Sequence, residues 1–155
     1  MLLTVTIKLT SPFLGSAKLN EDGIRNIIKT NKNQPTIFIK RFCNLCKKYA
    51  LDLGIINYNY NSINLPNYVK TEAVEKIYER SYKTKEGTFK REKFMSYPVG
   101  SIITMDCYID DTKIDVDKAV KILELIGKYD GISQFGINAN FGRYEIVLCS
   151  QQKYE

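Results

Sequence analysis

The chain has 155 residues, of which 44% are apolar and 26% are charged, and its net charge is +6 at pH 7. This length fits one domain that can bury a hydrophobic core without disulfides or a structural metal, and the composition excludes a largely disordered chain. No apolar run approaches the roughly 20 residues of a membrane span, so no membrane partner is predicted. The start of the chain lacks the basic and long apolar regions of a signal peptide, and we expect a cytoplasmic protein.

Apolar periodicity predicts a strand and a helix in the first third of the chain. Residues 2–9 alternate apolar and polar side chains, which is the pattern of a half-buried strand. Residues 15–35 are polar and contain Gly and Pro, so we predict a long loop that can include one short helix around residues 24–28. Apolar side chains recur at helical spacing over residues 41–53, and Gly54 stands where a glycine ends a helix.

The rest of the chain predicts four strands and a second helix. Alternating or short apolar runs predict the strands, and apolar side chains at helical spacing predict the helix. These elements are strands at residues 73–82, 89–97, 101–109 and 143–149 and a helix at residues 115–127. A turn at residues 85–88 joins the first two strands. Asp115 or Asp117 can cap the helix, because an aspartate oxygen accepts the free backbone N–H groups there.

The order of the elements predicts the fold. Strands at 2–9, 73–82, 101–109 and 143–149 and helices at 41–53 and 115–127 give the order β-α-β-β-α-β. This order is the ferredoxin-like split βαβ pattern of the α+β class, with two helices on one face of an antiparallel sheet. We predict a single domain over residues 1–155, with loop insertions at about 15–35 and 55–70 and a hairpin arm at about 80–98.

The distribution of charge indicates an anionic partner. Residues 23–51 contain seven Lys or Arg, including Lys40 and Arg41, and no acidic residue. The acidic residues concentrate instead between residues 106 and 117. Such asymmetry is typical of proteins that bind nucleic acid, although Lys and Arg on a helix also form ordinary solvated faces.

One predicted strand alternates cations with aromatic rings. By period two, one of its faces carries Lys76, Tyr78, Arg80 and Tyr82. Rings that stack on bases and cations that meet phosphates suit RNA. The alternative is that both tyrosines cover a half-buried sheet while the two cations extend to solvent. Further cations surround the turn at Gly87, where they fit a nucleic-acid backbone or guard an exposed strand edge: Lys83, Lys85, Lys90, Arg91 and Lys93.

A glycine loop at residues 131–143 follows the second predicted helix. It contains Gly131, Gly136 and Gly142, and Arg143 stands beside the last glycine. Free N–H groups in a glycine turn can hold a phosphate, and a tight connection between helix and strand is the alternative. The loop matches neither a P-loop nor a dinucleotide fingerprint, because its glycines follow a helix and precede a strand.

The C-terminal third resembles the RAMP superfamily, the RNA-binding repeat-associated proteins of CRISPR systems. The resemblance implies a ferredoxin-like fold, binding of single-stranded RNA or of a nucleotide, and protein subunits of a larger complex as partners. It rests on the helix end at residues 122–127, on the glycines Gly131, Gly136 and Gly142, and on residues 143–147.

The absence of histidine restricts the chemistry that the chain can perform. It removes the commonest general base and the serine–histidine and cysteine–histidine pairs. Cys43 and Cys46 form a single Cys-x-x-Cys pair, whereas structural zinc needs a second pair, so buried small side chains are the better interpretation of the cysteines. We predict no catalytic residue, no metal site and no cofactor.

The sequence therefore predicts non-catalytic binding of RNA or of a phosphate-bearing nucleotide. The predicted site combines Lys40 and Arg41, the strand face from Lys76 to Tyr82, and the glycine loop with Arg143. The first alternative is a phage- or defence-related inhibitor or assembly subunit that binds proteins or forms a homo-oligomer, since tyrosine and arginine also serve protein interfaces. The second alternative is a metal-independent ribonuclease that uses a tyrosine.

Overall fold

A computed structural model describes residues 1–136 and 140–152, which form two sheets and two helices in an α+β fold. The strands are β1 (Leu2–Leu9), β2 (Phe13–Leu14), β3 (Ile24–Arg25), β4 (Ile63–Asn64), β5 (Lys70–Thr71), β6 (Lys76–Lys83), β7 (Phe89–Tyr97), β8 (Ile102–Ile109) and β9 (Tyr144–Gln152), and the helices are α1 (Ile39–Asp52) and α2 (Val116–Tyr129). Neither helix is long and apolar enough, among the residues described, to cross a membrane.

The main sheet is antiparallel and has β1 beside β8 and β9, with β4 and β5 on the outer edge of β8. One face of β1 is fully buried, because its alternating apolar side chains pack against both helices. The buried side chains of β1 and α2 that form this core are Leu3, Val5, Ile7, Leu9, Ala119, Ile122, Leu123 and Ile126. The opposite face carries partly or fully exposed side chains, and neither of the two helices in the described part of the chain covers it. This arrangement confirms the predicted ferredoxin-like fold with two helices on one face.

The strand predicted at 73–82 was expected to be part of the main sheet, but the structure places it in a second sheet. The position beside β8 is filled by the short strands β4 and β5, whereas β6 pairs with β7 in a second sheet. The side chains of β6 alternate between exposed and half-buried, so the strand has no face for the main core. The hairpin arm consequently begins at Lys76 rather than near residue 80.

The second sheet anchors the arm to the 15–35 insertion. Besides β6, the strand β7 pairs antiparallel with β2 and parallel with β3. The prediction of a short helix around residues 24–28 is therefore wrong. Ile24 and Arg25 use their backbone groups in the ladder to Lys93 and Phe94 instead. Local sequence favours neither structure strongly, and the strand is set by this long-range pairing.

The predicted cap is found at the end of α1, whereas the predicted side-chain cap at the start of α2 is not. Gly54 has a φ of +72° directly after the C-cap of α1, as predicted for a terminating glycine. Asp115 occupies the N-cap position of α2, but its side chain makes no capping hydrogen bond. Its backbone carbonyl accepts the first intrahelical bond, from the amide of Ala119 at 3.0 Å.

Candidate nucleic-acid interface

The arm formed by β6 and β7 has an inner face and an outer face. In register, Tyr78 lies opposite Phe94, Arg80 lies opposite Glu92 and Tyr82 lies opposite Lys90. The three β6 side chains of this inner face are half-buried, whereas the alternate β6 side chains of the outer face are exposed: Ile77, Glu79, Ser81 and Lys83. Lys76 belongs to the same period-two series but lies exposed at the base of the arm.

The glycine loop packs against the inner face of the arm. The ring of Phe135 lies 4.6 Å from that of Phe94, and the ring of Phe141 meets Tyr78 edge-on at 5.4 Å between centroids. These rings form a small second core together with Leu14. Tyr78 therefore fits the alternative interpretation, in which the tyrosines of this strand cover a half-buried sheet, because its ring packs between the arm and the loop.

Four polar side chains gather further out on the inner face, and we call Arg25, Arg80, Tyr82 and Glu92 the arm cluster. The guanidinium carbon of Arg80 lies 5.3 Å from the centroid of the Tyr82 ring and 5.8 Å from that of Phe135. A hydrogen bond to the Glu92 carboxylate raises the pKa of Tyr82, and the charges of Arg80 and Arg25 oppose that rise. The Tyr82 hydroxyl thus lies where two arginines and one carboxylate meet.

Sequence reasoning missed Arg25, Glu92 and Phe135 as members of this site. Arg25 belongs to the insertion and reaches the arm only through the parallel pairing of β3 with β7. Its Nη1 donates to the carbonyl of Ala17 at 3.3 Å. The hairpin places Glu92 opposite Arg80, one position away from Lys93, which a symmetric turn at the predicted residues 85–88 would have placed there. No local signal indicates the other two.

At two of the three glycines predicted to bind phosphate, the backbone N–H group is already hydrogen-bonded within the protein. The amide of Gly131 donates to the carbonyl of Ile126 and that of Gly142 donates to the carbonyl of Pro12, both at 2.7 Å. The predicted phosphate cradle is therefore not supported at these amides. Both residues and Gly136 have positive φ, and a Cβ on Gly142 would lie 2.2 Å from the amide nitrogen of Ser133. Residues 137–139 of the predicted loop lie outside the described residues.

Two buried polar side chains fix the loop to the rest of the molecule. The Gln134 amide donates to the carbonyls of Ile28 and Thr36 at 2.8 Å and accepts from the amide of Ile28 at 2.9 Å. The Ser133 hydroxyl accepts from the amide of Leu14 at 2.9 Å and donates to the carbonyl of Phe135 at 2.6 Å. Residues 131–136 of the loop are a fixed support under the arm, since these bonds satisfy buried groups on both sides.

Two of the predicted site arginines contact the end of α2. Arg41 donates to the carbonyl of Gly131 at 3.0 Å and to that of Asp130 at 3.5 Å, and burial lowers the pKa of Arg41. Arg143 donates to the carbonyl of Tyr129 at 3.4 Å and to the Asn140 side chain. Both guanidinium groups satisfy backbone carbonyls that a helix leaves unpaired at its C-terminus. Lys40, the neighbour of Arg41, is exposed.

Beyond the arm cluster, the tip of the arm is basic and exposed. Phe89 is 76% exposed there, and Arg91 makes only a long ion pair of 3.9 Å with Glu79. An exposed pair of this length contributes little to stability, so the charge is available to a partner. The exposed cations of the tip are Lys83, Lys85, Lys90 and Arg91, and the exposed Lys93 lies further back on the outer face, opposite Glu79.

The thiols and most buried tyrosines are poorly suited to catalysis. Burial raises the pKa of Cys46 to about 12 and raises that of Cys107 further, which confirms these two cysteines as small buried side chains. Burial also raises the pKa of Tyr97 to about 12. Within residues 1–136 and 140–152, no three His, Cys, Asp or Glu side chains are grouped in a way that could hold a metal ion.

No family model and no curated protein matches the chain. Among solved structures, a chain of the type III-B Cmr-beta complex bound to cognate target RNA aligns with 96% of this chain, at a TM-score of 0.62 and 12% identity. This chain spans only 59% of that chain. A chain of a type IV-B CRISPR complex aligns with 100% of this chain and 92% of its own length, at a TM-score of 0.57 and 11% identity. These likenesses concern the fold alone, and they agree with the predicted ferredoxin-like α+β architecture.

Proposed function

We propose that this protein is a non-catalytic RNA-binding subunit of a CRISPR-type ribonucleoprotein complex. The observation that carries the proposal is the arm cluster, where Arg80 lies over the ring of Tyr82 and the charge of Arg25 acts on the Tyr82 hydroxyl, on the inner face of a hairpin with a basic tip. The likeness of the fold to chains of two CRISPR complexes, one of them bound to target RNA, supports it.

The parts of the arm have different roles in this proposal. Arg25 and Arg80 bind phosphate or base edges, and Tyr82 stacks on a base. The cations of the tip follow the RNA backbone, and the exposed Lys40 and Lys76 extend the basic surface. Gly131, Gly136 and Gly142 act indirectly, because they shape the loop that supports the arm. Arg41 and Arg143 likewise act through the end of α2.

The length of the arm favours a polymer over a single nucleotide. The strand β6 has 8 residues. At about 3.3 Å for each residue, such a strand is about 26 Å long. Cations and rings are spread along this length, so several consecutive nucleotides of single-stranded RNA can contact them. The proposed ligand is therefore single-stranded RNA.

Fluorescence anisotropy with a labelled single-stranded RNA tests this function. We expect the double variant Arg25→Ala/Arg80→Ala to lose about tenfold or more in affinity, since it removes two contacts of the site. The matched control Arg91→Ala/Lys93→Ala removes the same charge from the outer face of the arm, and we expect a loss of about two- to threefold. Equal losses would indicate that only net charge matters and would contradict the assignment of the inner face.

Protein–protein assembly without RNA is the second candidate function. It is favoured by a groove of about 840 Å³ beside the open face of the main sheet, where Val74, Val99 and Ile102 are 75%, 60% and 47% exposed. Exposed apolar side chains in one groove are typical of protein interaction sites. The same anisotropy experiment separates the two functions, because this second function predicts no RNA binding by the wild-type protein.

A further inference from the structure

The arm cluster contains a group that phosphate binding does not require. Glu92 places a carboxylate directly opposite Arg80 in the register of β6 and β7, and a carboxylate repels phosphate. Within the part of the chain that the structure describes, no ion pair joins Glu92 to Arg25 or Arg80. The carboxylate is therefore not simply a partner that neutralises the arginines. Its presence favours a ligand that donates hydrogen bonds as well as accepting them.

Two buried atoms of the cluster have unused hydrogen-bonding capacity. The Nε donor of Arg25 and the Oε2 acceptor of Glu92 have no hydrogen-bond partner among the described residues. Buried polar atoms in proteins are nearly always bonded, and exceptions often mark functional sites. Arg25 pairs with Phe94, and Glu92 lies two residues before Phe94 on the same face of β7. The unused donor and the unused acceptor thus belong to one site.

We infer that the arm cluster recognises guanine, as part of the proposed RNA binding on which this inference rests. The Watson–Crick edge of guanine presents two adjacent donors, N1–H and the N2 amino group, which match the two oxygens of the Glu92 carboxylate. Its O6 accepts a hydrogen bond from an arginine such as Arg25. Adenine, cytosine and uracil each present a single donor group on that edge, so they leave one carboxylate oxygen unpaired.

Tyr82 is the side chain that a guanine would displace from the carboxylate. The Glu92 carboxylate raises the pKa of the Tyr82 hydroxyl, and the Tyr82 ring lies 5.3 Å from the guanidinium carbon of Arg80. When the base takes the place of the hydroxyl, the tyrosine ring turns outward and can stack on the base. One side chain therefore covers the carboxylate in the free protein and contacts the base in the complex.

Anisotropy titrations with labelled oligoadenosine RNAs that differ in one central nucleotide test the inference. We expect the RNA with a central guanine to bind about tenfold more tightly than those with adenine, cytosine or uracil. Glu92→Gln keeps the shape of the side chain and removes the second acceptor oxygen, so the preference for guanine is lost. Glu79→Gln removes the same charge from the outer face of the arm and serves as the control, in which the preference remains.

The outcomes distinguish this inference from the function on which it rests. Equal affinity for the four RNAs, a preference for another base, or a guanine preference that survives Glu92→Gln would each overturn the inference and leave RNA binding intact. Failure to bind any of the four RNAs would overturn the proposed function and the inference with it.

Discussion

At the scale of single residues, the arginines of this protein differ in what their guanidinium groups contact. Arg41 donates to two backbone carbonyls at the end of α2, where a helix leaves carbonyls unpaired. Arg80 lies over the rings of Tyr82 and Phe135, and a cation held by rings can turn toward a ligand without losing a backbone hydrogen bond. The first arginine stabilises the fold, and the second is available for binding.

Arg41→Ala should therefore weaken the fold while sparing RNA binding. We expect the free energy of unfolding to fall by about 1–2 kcal/mol, because the carbonyls of Asp130 and Gly131 lose a charged donor. Urea unfolding measures this change, with Lys40→Ala as the control of equal charge at the exposed neighbouring position. A loss of RNA affinity as large as that of Arg25→Ala/Arg80→Ala would instead place Arg41 in the interface.

At the scale of elements, the sequence predicted the long strands and both helices because each has its own apolar periodicity. It could not predict that β6 belongs to the arm, since a period-two pattern fits an edge of the main sheet and a separate hairpin equally well. The sequence could not predict the pairing of Arg25 with Phe94 either, because it joins residues that are distant along the chain. Gln134 gave no signal either, since a glutamine between glycines is typical of a solvated loop.

The contact between α2 and β9 depends on a glycine inside the helix. A Cβ on Gly127 would lie 2.5 Å from the Tyr144 ring and 2.6 Å from the Tyr144 carbonyl oxygen. The Tyr144 hydroxyl donates to the carbonyl of Leu123 at 2.7 Å, which keeps the ring in place. The glycine thus allows the helix to approach the strand at the start of β9, next to the glycine loop.

Gly127→Ala should destabilise the protein, although the same change in an exposed helix stabilises it by about 1 kcal/mol. We expect a loss of about 1–3 kcal/mol from overpacking against Tyr144. Thermal and urea unfolding measure the change, and Lys118→Ala at an exposed position of the same helix should be nearly neutral. An increase in the melting temperature of the Gly127 variant would show that the contact can relax.

At the scale of the whole molecule, opposite charges lie at opposite ends of β8. The arm joins the strand at its start, whereas the acidic residues 110–117 follow its end. The strand has 8 residues. This length separates the two ends by about 26 Å, which is more than the Debye length of about 8 Å at physiological salt. The acidic end therefore interferes little with the proposed attraction of RNA to the basic arm.

Ultraviolet crosslinking of bound single-stranded RNA, followed by mass spectrometry of the peptides, locates the interface most directly. We expect crosslinked nucleotides on Tyr82 and on neighbouring residues of the arm between Lys76 and Tyr97, and we expect Arg25→Ala/Arg80→Ala to reduce them. Crosslinks confined to α1 or to the open face of the main sheet, with none on the arm, would contradict the proposal that the inner face of the arm binds RNA.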